Sequence, residues 1–151
     1  MDSELKLTIV LERPTAGCDY GLQKGKGNDY ETVQTQRGAN KDLIFNFTVR
    51  VTEAKNGQPN FLGPFAQGGA DGRFVYLDIG TYAGQKNTAW ARRLKIPLAG
   101  IEWPAIESAL KAGTPLQARV AGSGGRDGGP TCGTIKPFMG WRVRQTITHT
   151  P

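Results

Sequence analysis

Residues 42–53, DLIFNFTVRVTE, decide the fold class. Leu43, Phe45, Phe47, Val49 and Val51 recur at every second position, and Asn46, Thr48, Arg50 and Thr52 fill the places between them. Side chains on a strand alternate between faces, so this period predicts a strand with one apolar face in a core and one polar face in water. Just downstream, Asn56-Gly57 predicts a type I′ hairpin turn, because both central residues of that turn need positive φ. The returning arm carries Pro59 and Pro64, which cannot donate to a ladder, and it reads as irregular or as a sheet edge.

The same period appears on either side. Leu5, Leu7, Ile9 and Leu11 share one face in 4–12, with Lys6, Thr8 and Glu12 on the other, and Val75, Leu77 and Ile79 alternate in 73–82. Residues 92–98 alternate through Leu94, Ile96 and Leu98, residues 115–122 form another short strand, and a last strand in 134–147 is interrupted near Pro137 and Gly140. One segment has helical spacing. Trp103, Ile106, Ala109 and Leu110 form its apolar stripe, Pro104 suits the first turn, and Gly113 suits the position after the last. Short adjacent strands without βαβ alternation predict a mainly β (α+β) fold: an antiparallel sheet or partly open barrel of about seven strands, with one helix near residues 103–112.

A chain of 151 residues with 38% hydrophobic and 21% charged residues fits one globular domain spanning 1–151 with a real core. No apolar run reaches the roughly 20 residues of a membrane helix, so no membrane partner is expected. The first residues, MDSELKLTIV, start acidic and lack the basic region and long apolar core of a signal peptide, so none is expected. Two cysteines, Cys18 and Cys132, without a CxxC spacing favour a reduced, cytoplasmic protein, with one disulfide left open. The net charge of +6 points to anionic partners. Its densest patches, ARRLK and WRVRQ, are short and acids are interspersed elsewhere, which argues against nucleic acid as the partner.

Catalytic signals are sparse. The single histidine, His149, leaves Ser-His-Asp and Cys-His designs without a base and multi-histidine zinc sites without ligands. Gly25-Lys26-Gly27 lacks the third glycine of a dinucleotide fingerprint, and GSGGRDGG lacks the Gly-Lys-Ser/Thr of a phosphate loop. No metal and no cofactor is implied. Two polar, glycine-rich segments remain, 20–38 and 121–133, both read as loops. Successive backbone N–H groups in turns can cradle an anion, and a nearby Lys or Arg adds a charge-assisted bond. On that basis a non-enzymatic module for a small anionic ligand is expected, with Tyr20, Lys24, Lys26, Asn28, Tyr30, Arg37 and Arg126 as ligand-binding residues. Asp78 falls mid-strand, where a carboxylate needs a partner, and Arg92, Arg93 or Lys95 on a neighbouring strand can supply it in a structural ion pair. Two alternatives stay open: an enzyme with Asp29, Glu31 or Asp78 as general base and a tyrosine as acid, or a basic protein or nucleic-acid surface built on ARRLK and WRVR. The oligomeric state is not legible.

Several phrases, GLQKGKGNDYETVQTQR, PNFLGPFAQG, RFVYLDIGTYAGQ, RRLKIPL and DGGPTCGTIKP with GW soon after, together resemble a family of small bacterial proteins catalogued as a domain of unknown function. The similarity runs from about Leu7 to Arg142. It implies a bacterial, single-domain protein and carries no catalytic residue, cofactor or site.

Overall fold

The computed structural model describes residues 2–14, 16–68, 73–82, 88–121 and 140–143. Their strands are β1 (Asp2–Glu12), β2 (Cys18–Lys26), β3 (Asp29–Arg37), β4 (Leu43–Glu53), β5 (Pro59–Leu62), β6 (Phe74–Tyr82), β7 (Thr88–Pro97), β8 (Leu116–Ala121) and β9 (Trp141–Val143), with one helix, α1 (Trp103–Ala112), between β7 and β8. They form two sheets, a five-stranded one in the order β5-β4-β1-β8-β9 and a four-stranded one in the order β3-β2-β6-β7. The fold is therefore mainly β, and neither sheet closes into a barrel.

The alternation in β4 becomes a buried/exposed alternation along its length. Its apolar face lies against the side chains of β1, with Leu5 opposite Val49, Leu7 opposite Phe47 and Ile9 opposite Phe45. These residues share one core with Tyr20, Leu22, Val75, Leu77 and Ile96 of the other sheet. Each such side chain, fully withdrawn from water, contributes about 1.5–3 kcal/mol. Ile106 and Ala109 of α1 join the same core. Pro104 opens the helix and Gly113 ends it in the left-handed region at φ +71°, where glycine carries no Cβ penalty. The Trp103 indole N–H donates to the Gly57 carbonyl at 2.7 Å, which fixes the helix beside the β4–β5 turn.

Several expectations need correction. Strands number nine among the described residues, because 20–38 is not a loop but the β2–β3 hairpin. Its residues are mostly polar, yet β3 gains backbone hydrogen bonds from β2 and leaves one side to water. Pairing is not wholly antiparallel: β8 runs parallel to β1, with Leu7 beside Leu116 and Leu11 beside Val120. Thr8 and Val10, on the other face of this central strand, are buried as well, and Thr8 Oγ1–H donates to Asn46 Oδ1 at 2.7 Å. β7 begins at Thr88, ahead of the expected 92. The Asn56-Gly57 turn is not type I′. Only Gly57 has positive φ, at +83°; Gly57 N–H donates to Ala54 O at 2.9 Å and Ala54 N–H to Gln58 O at 2.9 Å. That pattern is the three-residue loop closed by a left-handed glycine. Leu110, assigned to the apolar stripe, is 36% exposed. Cys18 is buried and disulfide-bonded; the other cysteine of the sequence, Cys132, lies outside the described residues.

Candidate functional site

The turn of the β2–β3 hairpin sits at Gly27-Asn28, with Gly27 in the left-handed region at φ +59°. Beyond Leu22, β2 no longer pairs with β6. The vacated edge takes the 63–67 segment instead, through Gly25 N–H to Pro64 O at 2.7 Å. Gln67 anchors this segment twice: its backbone exchanges two hydrogen bonds with Phe74, and its side-chain Nε2–H donates to Pro64 O at 2.9 Å. Between hairpin tip and segment lies a cleft of about 500 Å³, lined by Gly25, Gly27, Asn28, Asp29, Tyr30, Gly63, Pro64 and Gln67. That volume falls within the usual range for small-ligand sites. Tyr30 is 60% exposed at its rim, while the Asp29 carboxylate accepts the Tyr30 backbone N–H at 2.8 Å.

Of the residues expected to share a ligand, Asn28 and Tyr30 line this cleft, and Lys24 and Lys26 lie on the strand that leads into it. Lys24 leans over the Phe65 ring, its Nζ 5.9 Å from the centroid, and Phe65 in turn packs on Phe47 of the core. Tyr20 is not at the surface; it is fully buried between the sheets. Arg37 is also elsewhere, at the far end of β3, where its Nε–H donates to Asp19 Oδ1 at 3.0 Å. Arg126 and segment 122–133 lie outside the described residues.

A second cluster occupies the outer face of the four-stranded sheet. Asp78 is directly opposite Gly21 of β2, and Thr32 of β3 is on the far side of that strand. Thr32 Oγ1–H nevertheless donates to Asp78 Oδ2 at 3.0 Å, and Arg93 Nε–H donates to Asp78 Oδ1 at 3.3 Å. Asp78 is 5% exposed with both carboxylate oxygens engaged, which serves a structural ion pair better than a general base. Gly21 makes the bridge possible. A Cβ there would stand 2.2 Å from Thr32 Cγ2 and 3.3 Å from Trp90 Cη2. On β3 the residue pair Gln34 and Thr35 bulges opposite Gly21, with Gln34 at φ +54°. The bulge turns β3 toward the other sheet, and Gln34 and Gln36 donate their Nε2–H groups to Asn46 O at 2.8 Å and Ile44 O at 2.9 Å of β4. Sequence reasoning did not identify Gly21, Thr32 or Gln34; the one available signal was glycine at an outward position of an otherwise regular strand. Among the described residues no three His, Cys, Asp or Glu side chains group closely enough to hold a metal ion.

A family model described as a family of unknown function (DUF5990) matches residues 5–144, and the chain belongs to that family. No curated protein and no solved structure matches it.

Proposed function

We propose that this member of the family is a non-enzymatic binding module for a small anionic or polar molecule, seated in the cleft between the β2–β3 hairpin tip and the 63–67 segment. The observation that carries the reading is the conjunction of a polar cleft of about 500 Å³ with an exposed tyrosine ring at its rim. Tyr30 offers a flat apolar surface with a hydroxyl at its edge, suited to packing on a ring or sugar. Asn28 and Gln67 offer amide donors. Lys26, exposed between Gly25 and Gly27, supplies positive charge beside the tip, in a chain whose net charge is already +6.

The test is a thermal-shift screen of nucleotides, sugar phosphates and organic acids. A ligand present at about 100 times its Kd stabilises by about 2.7 kcal/mol, a shift that Tyr30→Ala and Lys26→Ala should abolish or reduce. No stabilisation by any compound, or stabilisation unchanged in both variants, would contradict the reading.

A bacterial source and a cytoplasmic place of action are also proposed; the Cys18 disulfide counts against the second, since such bonds persist in oxidising compartments. No helix among the described residues is long and apolar enough to cross a membrane. Thiol titration of Cys18 in protein taken from its native cells tests the compartment: a free thiol supports the cytoplasm, and a bonded one supports an oxidising compartment.

A further inference from the structure

We propose that the outer face of the four-stranded sheet is a platform for single-stranded nucleic acid, a reading independent of the cleft. Trp90 is 38% exposed on this face. Phe74 and Tyr76 stand beside each other along β6, ring centres 6.2 Å apart and planes 22° from parallel. Two cations from β7 lie over these rings: the Arg93 guanidinium is 4.7 Å from the Tyr76 centroid, and Lys95 Nζ is 5.7 Å from that of Phe74. The only carboxylates among the described outward residues of this sheet, Asp19 and Asp78, are buried against Arg37 and Arg93. Its exposed charge is therefore cationic.

This juxtaposition selects among anionic partners. Every unpaired base has a π face, and bases stack on aromatic rings and on guanidinium planes while neighbouring cations hold the backbone. A duplex hides its base faces and is read by an element entering a groove, which a sheet surface of this kind does not provide. An acidic protein would use the cations but leave the three rings without a role. The ARRLK run thus acts through Arg93 and Lys95 only where β6 and β7 pair, with Asp78 opposite Arg93 and Tyr76 opposite Lys95.

The experiment titrates the full chain with fluorescein-labelled oligo(dT) and oligo(rU) of about 12 nucleotides, within the site size of such platforms. Anisotropy and intrinsic tryptophan fluorescence are read together at low and moderate salt. Expected are saturable binding that weakens with salt, quenching of the exposed Trp90, and a loss of about tenfold or more in Trp90→Ala. Trp90→Phe should retain most of the affinity. Lys95→Glu, at an exposed position that leaves the core untouched, should weaken binding, and Lys6→Glu on the other sheet should not. No saturable binding at low salt would overturn the proposal. So would binding that matches heparin or duplex DNA in strength, or that Trp90→Ala and Lys95→Glu both leave unchanged.

Discussion

Thr32 of β3 and Asp78 of β6 meet at 3.0 Å although a whole strand separates them. Alternate strands of a sheet are nearly 10 Å apart, so side chains reach across only where the strand between leaves room. Gly21 leaves it. The contact ties β3 to β6 by their side chains across β2, and it satisfies a carboxylate that would otherwise be buried at a cost of several kcal/mol.

Substituting Gly21 tests this bridge. Thr32 is β-branched, so its Cγ2 cannot swing away without turning Oγ1 off Asp78. Gly21→Ala is expected to destabilise by about 1–3 kcal/mol, measured by denaturant unfolding. Adding Thr32→Ser, which removes Cγ2 and keeps the hydroxyl, should recover a large part of that loss. Equal instability of the single and double variants would place the strain elsewhere.

Gln34 and Gln36 cover backbone carbonyls on the edge of β4 that β5 leaves unpaired. An uncovered edge invites pairing with another chain. The Gln34→Ala, Gln36→Ala double variant is expected to lose only about 1–2 kcal/mol of stability while self-associating measurably more in sedimentation. Unchanged self-association would show that the two amides do not guard the edge.

The helix offers a contrast between two residues of similar chemistry. Ile106 is fully buried and Leu110 is 36% exposed. Ile106→Ala should cost about 2–5 kcal/mol, whereas Leu110→Ala should stay within about 0.5 kcal/mol. Comparable losses at both sites would move the apolar stripe back to where helical spacing alone had put it.

Cys18 opens β2 in a disulfide. Reduction, or Cys18→Ala, is expected to lower stability by about 2–4 kcal/mol, the usual range for a cross-link that restrains the unfolded chain. Thermal midpoints with and without reductant measure it. Identical midpoints would show that the bond does not restrain the fold.

The core strands were legible because burial writes itself as alternation: β4, β1, β6 and β8 each put apolar residues on one face. The helix was legible from Pro104 and Gly113, which mark its ends by backbone geometry. The β2–β3 hairpin was not, because β3 is mostly exposed and held by backbone bonds, which leave no apolar period to read. The parallel pairing of β1 with β8 was hidden for a similar reason, since strand direction depends on a connection more than 100 residues long. Of the candidate site, Asn28 and Tyr30 could be reached through the glycines around them. Gln67 and Pro64 come from a distant segment that only the docking of the 63–67 stretch onto β2 brings near. The outer face was obscured further, because its rings and cations reside on separate strands and become a set only in register.

The most direct measurement is an amide NMR titration of ¹⁵N-labelled protein with the strongest compound from the thermal-shift screen. The binding account expects saturable shift changes concentrated at Gly25, Gly27, Asn28, Tyr30 and Gln67, and their loss in Tyr30→Ala with the rest of the spectrum preserved. Saturable changes confined to other residues, or the same changes persisting in Tyr30→Ala, would contradict it.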